Sequence, residues 1–315
     1  MTTYLRHLVH HGPVLQGLGK TFMAARNQPR ELTGQTAPNT PGPEVSSRLP
    51  ARPPQLIADF VRHIGGNPKT YRDTVPPHLF PQWTFGLASQ LMLPLPYPLM
   101  RIVNGGCRLE VHAPMPQGES IDVTAQLENI DDNGRRAVMT QKLVCGTNSA
   151  PAAMEAHIYA IAPLRSKSTN GSSSGDQKTT TKKPKARVPM EARELAEWRL
   201  RSNAGLEFAA LTGDFNPIHW IPPVARANGF KGTILHGFAT MARAIEGIKT
   251  HYLLGGGRLR WVDVQFTKPL VLPGSVKLFV HNANDEHQVF VGDAPGGPAY
   301  MTGTFEVSSD PEVGM

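Results

Sequence analysis

One stretch decides how this chain can be folded. Residues 165–187 read RSKSTNGSSSGDQKTTTKKPKAR, seven cations and one acid with almost no apolar side chain. Such a segment cannot bury enough surface to offset the entropy of ordering it, so a flexible linker is expected. It separates two stretches, 55–164 and 188–308, each the size of a small domain with its own core. Residues 1–54 and 309–315 fall outside both, and are expected to form a basic flexible N-terminal segment and a short tail.

The two stretches follow one pattern. In the second, Phe238, Met241, Ile245 and Ile248 recur at helical spacing over 237–251. Alternating segments follow, carried by Val262, Val264 and Phe266, by Val276, Leu278 and Val280, by Val289 and Val291, and by Met301 and Phe305. The first stretch repeats the order: Trp83, Leu87 and Leu91 make a short apolar stripe. Strand-like segments come after it at Cys107–Val111, Ile121–Leu127, 136–145 and 154–161, with a hairpin turn at Asp131–Gly134. The expected class is α+β: one central helix wrapped by an antiparallel sheet, used twice.

The chain has 32 Lys and Arg against 25 Asp and Glu, a formal +7. Position matters more than the total. Residues 1–30 contribute +4 and the linker +6, which leaves −3 for the rest, so the folded halves are mildly acidic. Nucleic-acid binding is therefore disfavoured, and no recognition-helix or RNA-binding strand motif appears. The acid-free start resembles an organelle transit peptide; the other reading is a basic tail. A cytoplasmic location is expected, with the mitochondrial matrix as the alternative if 1–30 is a leader. Two cysteines, Cys107 and Cys145, suit a reducing compartment. No apolar run approaches the ~18 residues of a membrane span.

Three motif matches fail on context. Gly171–Gly175 fits G-x-S-x-G but lies in the linker, away from any strand-turn-helix. Gly17-Leu18-Gly19-Lys20-Thr21 suggests a phosphate loop, yet Val14 stands where the first glycine belongs. His7, His10 and His11 could bind metal, but in a tail they are expected to be solvated.

The run Phe208-Ala-Ala-Leu211-Thr212-Gly213-Asp214-Phe215-Asn216-Pro217-Ile218-His219 is more informative. Helical character is expected from Glu194 to Leu211, with Gly205 a possible break. Asn216-Pro217 then bends the chain away from helix and brings Asp214 and His219 towards one point. A carboxylate and an imidazole together can hold a water and move its proton; the plain alternative is a helix-capping Asp beside a surface His. Further on, His236-Gly237 opens the second central helix. Backbone N–H groups there suit a developing oxyanion, although close packing would also require a glycine.

These residues carry a resemblance. Phe208…Leu211-Thr212-Gly213-Asp214-Phe215-Asn216-Pro217-Ile218-His219, Ala225 and Ile234-Leu235-His236-Gly237 resemble the signature of the MaoC-like hydratases, the (R)-specific enoyl-thioester hydratases. Phe208 departs from the usual Tyr. Pro76–Pro81 and Leu95–Leu99 are similar to the first half of double hot-dog 3-hydroxyacyl-thioester dehydratases. The resemblance implies two hot-dog domains in tandem, 55–164 non-catalytic and 188–308 catalytic. It further implies Asp214 and His219 as catalytic residues, Asn216 orienting the loop or binding within the site, and Gly237 polarising a thioester carbonyl. The substrate would be an acyl thioester of coenzyme A or acyl carrier protein, with no metal or redox cofactor. Gly66-Asn67-Pro68 is the first half's nearest echo of the motif, and the lost site there could leave room for a long acyl chain. Lys231, Arg243, Lys249, Arg258 and Arg260 are candidates for a basic rim.

Two other functions are consistent with the fold. A hot-dog thioesterase would want an acid on the central helix, where Glu246 is the obvious one. A non-catalytic acyl-thioester-binding subunit would keep the fold without the Asp/His pair. A pseudo-dimeric chain is self-sufficient, and a further homodimer is compatible with it.

Overall fold

The computed structural model describes residues 3–27, 37–164, 185–253, 256–283 and 286–308. The expected linker lies outside the described residues up to position 184, as do the G-x-S-x-G match and the tail after 308.

The first half contains helices α1 (Gly12–Asn27), α2 (Pro54–His63) and α3 (Pro81–Met92), and strands β1 (Val45–Leu49), β2 (Val103–Val111), β3 (Ile121–Asp132), β4 (Arg136–Gly146) and β5 (Met154–Pro163). The second half contains β6 (Arg193–Leu200), α4 (Ala204–Thr212), α5 (Pro222–Ala227), α6 (Gly237–Tyr252), β7 (Arg258–Phe266), β8 (Gly274–Ala283), β9 (Glu286–Gly292) and β10 (Ala299–Ser308). The ten strands form one antiparallel sheet in the order β1-β3-β4-β5-β2-β7-β10-β9-β8-β6. Read outward from its middle, the order of the first half mirrors that of the second. Each half is a hot dog, and the two are joined edge to edge through β2 and β7.

The join runs from Gly106 opposite Gln265 to Glu110 opposite Trp261. Near its centre the Arg108 guanidinium lies 4.4 Å from the Trp261 ring centroid and 3.8 Å from Asp263. The alternation read from the sequence is seen directly: β5 strictly alternates buried and half-buried residues, with Met154, Ala156, Ile158, Ala160 and Ala162 facing the core. Helices α3 and α6 pack on the sheet. Burial pushes the Cys107 thiol well up and the Cys145 thiol up to about 12, so both are inert packing groups.

Two expectations are corrected. Residues 193–200 are strand, not helix. RELAEWRL is rich in helix formers, but pairing with β8 from Arg193–Val280 to Leu200–Gly274 overrides that propensity. The N-terminal segment is not a flexible tail where it is described. Residues 3–10 form a 3-10 helix, α1 crosses α3, and β1 pairs with β3. A Cβ on Gly17 would lie 2.9 Å from the Gly86 Cα, so the phosphate-loop lookalike is a helix crossing. His7 and His11 are buried, His7 against Asp59 at 2.8 Å and His11 against the Ala210 carbonyl at 2.8 Å.

Buried imidazoles make the fold acid-sensitive. Burial pushes His11 down to about 4 and His63 to about 3, and it lowers His78, His219 and His236 as well. Between pH 6.5 and 4 the unfolded chain binds the extra protons, so stability falls as pH falls through that window. Urea unfolding at pH 7 and 4.5 should show His11→Gln losing about 2–3 kcal/mol less than wild type over that step.

Candidate active site

Helix α4 is buried along almost its whole length and ends at Gly213, whose φ of 84° is the left-handed stop that glycine adopts without strain. The chain then bends sharply. The Asp214 carboxylate accepts from the Asn216 N–H at 3.3 Å, and the Asn216 side chain accepts from the Ile218 N–H at 3.3 Å, capping a single 3-10 turn, Pro217–His219. The turn packs back on its own helix: a Cβ on Gly205 would sit 2.0 Å from the His219 carbonyl oxygen.

The bend brings Asp214 and His219 together with a third group, His236. One ring nitrogen or carboxylate oxygen from each of the three lies within 4.8 Å of the others, and all three residues are buried. His219 Nδ1 donates to the Ile234 carbonyl at 2.8 Å, so in the neutral ring Nε2 carries the lone pair. His236, at the cap of α6, donates from Nε2 to the Asp214 carbonyl oxygen at 3.0 Å and stacks on His219 at 3.6 Å. Burial pushes the Asp214 carboxyl up, against the opposing pull of His219 and the Asn216 N–H. Burial likewise pushes the His219 imidazole down, opposed by Asp214 and the Ile234 carbonyl. His236 is driven well down by burial and by its His219 neighbour. Two imidazoles stacked 23° apart lie in nearly parallel planes, and each spends one ring nitrogen on a backbone carbonyl. A carboxylate beside a neutral imidazole with a free ring nitrogen can pass a proton, and the same three groups are close enough together to hold a metal ion.

These groups line a cavity of about 460 Å3. Asn216 and Gly237 also line it. Asn216 uses its side-chain oxygen on its own loop, so its visible role is to shape the turn. Gly237 is needed for packing, since a Cβ there would meet the Phe266 ring at 2.5 Å. Its N–H belongs to the first turn of α6, where no intrahelical acceptor is available. The far wall comes from the first half: Phe85, Ala88, Ser89 and Met92 of α3, with Ile158 and Ala160 of β5. None of the five suggested rim cations lines this cavity; Lys268, which is exposed, does. Arg243 is half-buried and donates to the His63 carbonyl, while Lys249 and Arg258 line a different cavity.

That second cavity, about 450 Å3, occupies the matching place in the first half. Asn67 caps the Pro68–Tyr71 turn as Asn216 caps Pro217–His219. No acid or imidazole stands on this loop from Gly65 to Tyr71, and α3 opens with Pro81, which has no N–H to offer, where α6 opens with Gly237. Glu246, the acid a thioesterase would want, reaches this cavity instead of the first. Its carboxylate accepts from the Tyr71 hydroxyl at 2.5 Å and lies 3.2 Å from His78. The His78 contact leads the interactions that hold it below the ordinary carboxylate range despite its burial.

Sequence reasoning did not name His236 as a site member, although its place directly before Gly237 was the available signal. The first-half wall and Lys268 had none, because they arrive through tertiary structure alone.

Two hot dogs sharing a sheet, with a buried Asp/His/His cluster in the second, define a double hot-dog protein. Residues 176–290 match the family described as MaoC like domain. A stretch of 123 residues is 29% identical to 3-hydroxyacyl-thioester dehydratase X of Mycobacterium tuberculosis, covering 39% of this chain and 41% of that protein. Another of 177 residues is 25% identical to probable enoyl-CoA hydratase 2 of Dictyostelium discoideum, covering 56% and 58%. The chain thus spans about half the length of these curated relatives. In fold it is similar to the crystal structure of HtdX of M. tuberculosis, with a TM-score of 0.64 at 20% identity over 84% of this chain and 99% of that one. A MaoC-like dehydratase from Phytophthora capsici gives the same TM-score at 17% identity, over 85% and 96%.

The tight seat of the loop is testable. Gly205→Ala must push the His219 backbone outward and should destabilise the chain by about 1–3 kcal/mol, as overpacking does. Denaturant unfolding measures it, and an unchanged midpoint would refute the contact.

Proposed function

We propose that the chain catalyses the reversible addition of water to trans-2-enoyl thioesters, giving (3R)-3-hydroxyacyl thioesters, in fatty-acid metabolism. The observation that carries this reading is the Asp214 carboxylate beside a His219 ring of fixed tautomer, both lining one cavity with the start of α6. The enoyl group lies between the pair and α6, with its thioester carbonyl at the Gly237 N–H. Water held by Asp214 and His219 Nε2 gives up a proton to the pair as its oxygen bonds to C3. Electron density moves onto the thioester oxygen, where the helix N-terminus stabilises it. The enolate then collapses, and C2 takes a proton from the same pair, so one water is consumed and the pair is restored. The reverse sequence is dehydration. His236 holds the Asp214 backbone and the His219 ring face, and it takes no proton of its own. The thioester acidifies the α-position, so the mechanism draws on no metal or redox group.

The carrier is coenzyme A or acyl carrier protein, both anionic, and Lys268 stands at the cavity to meet either. The acyl chain runs towards α3 and β5 of the first half. With crotonyl-CoA, Asp214→Asn and His219→Gln should each lower kcat by about 10²–10⁴-fold, read as slower loss of the enoyl absorbance without thiol release. Thiol release by wild type would instead identify a thioesterase. Ser89→Phe should shorten the preferred chain, cutting kcat/KM for a twelve-carbon enoyl-CoA by roughly tenfold or more while sparing the four-carbon substrate. A kinetic series across chain lengths checks it.

A further inference from the structure

The N-terminal segment reaches the back of the candidate site, and the contacts it makes there are specific. Helix α4 leaves its last-turn carbonyls without intrahelical donors, as every helix does. The Ala210 carbonyl, in that last turn, accepts from His11 Nε2 at 2.8 Å. The carbonyl can only accept, so Nε2 bears the proton and Nδ1 is the acceptor. That tautomer is fixed from the other side: Gln82 Nε2 donates to His11 Nδ1 at 3.2 Å and to the His10 carbonyl at 3.2 Å. The Gln82 carbonyl in turn accepts from Arg52 at 2.9 Å. A directional chain thus runs from Arg52 and α3 in the first half, through His11, to the helix end that launches Asp214. Val14, 1% exposed, closes over Gly213: a Cβ on that glycine would lie 3.0 Å from Val14 Cγ1 and 3.3 Å from His11 Cγ. A second fastening lies one turn earlier, where Arg6 and His7 pair with the buried Asp59 of α2.

We infer that residues 3–16 are a strap that positions Asp214, with His11 capping α4 from another part of the chain and Val14 fixing the turn at Gly213. His11 touches neither substrate nor reacting atoms; it is a positioning residue. The inference rests on the proposed reaction for its kinetic consequence but not for its structural one. Losing the cap frees the Ala210 carbonyl and loosens the 213–219 turn, and the Asp214 carboxylate loses its register with His219. An error of about 1 Å there costs on the order of a hundredfold in rate.

The test uses the full chain with His11→Leu, which fills the space without a donor, and His11→Gln, whose amide N–H replaces Nε2–H. Hydrogen exchange followed by mass spectrometry should show faster exchange across 205–219 in the Leu variant and near-native protection in the Gln variant. With crotonyl-CoA, kcat should fall roughly ten- to a hundredfold in the Leu variant with KM within about twofold, and return towards wild type in the Gln variant. Native protection of 205–219 in the Leu variant would overturn the strap. Equal loss in both variants, or loss spread over the whole chain, would also overturn it by making the contact ordinary packing. If wild type fails to hydrate any enoyl thioester, the functional reading falls while the exchange measurement still decides the strap.

Discussion

The edge pairing of β2 with β7 is the constraint on which the rest depends. A single curved sheet wrapped around one helix has open edges and a helix end with nothing to close it. Joining two such sheets removes one exposed edge from each and places the two central helices on one continuous layer. Each half's cavity is then completed by the other half's helix. The first is walled by α3, and the second receives Glu246 and Lys249 from α6. Neither cavity belongs to one half alone.

Against that shared frame the halves differ at matched positions of the capped turn and the central helix start. Asn67-Pro68 keeps the capped turn that Asn216-Pro217 forms. The Asp/His pair is absent from the first turn, and Pro81 has no N–H where Gly237 has one. The vacated ground is not merely packed: Glu246, Tyr71 and His78 form a buried polar group there. An ionised carboxylate in that position is tolerable because a hydroxyl and an imidazole face it.

Much of this was legible in the sequence. Alternation over 121–145 and 154–161 and the stripe at 237–251 gave the duplicated α+β plan, because side-chain periods of two and 3.6 reflect burial directly. The Asp214 to His219 spacing and the helix start at Gly237 were legible too, since Asn-Pro and a helix start each dictate local geometry, whereas the place of His236 in the cluster was not. The strand at 193–200 was not, as its Glu, Leu, Ala and Arg favour helix and only the partner strand overrules them. Nor could the N-terminal helices be seen as part of the fold. His11 meets Ala210 across 199 positions, and no local pattern encodes a contact of that kind.

The cavity's two-sided construction has a consequence for how such a chain varies. In the proposed reaction the residues that move protons sit on the turn after α4, whereas the wall that would face an acyl chain is supplied largely by α3 and β5. On that reading, chemistry and size selection rest largely on different segments of one polypeptide. Drift at the wall positions of α3 and β5, away from the Gln82 that holds His11, would then retune which molecules enter without touching how they react, a freedom that two identical subunits would not have, since there every change to the wall is also a change beside the groups proposed to move protons.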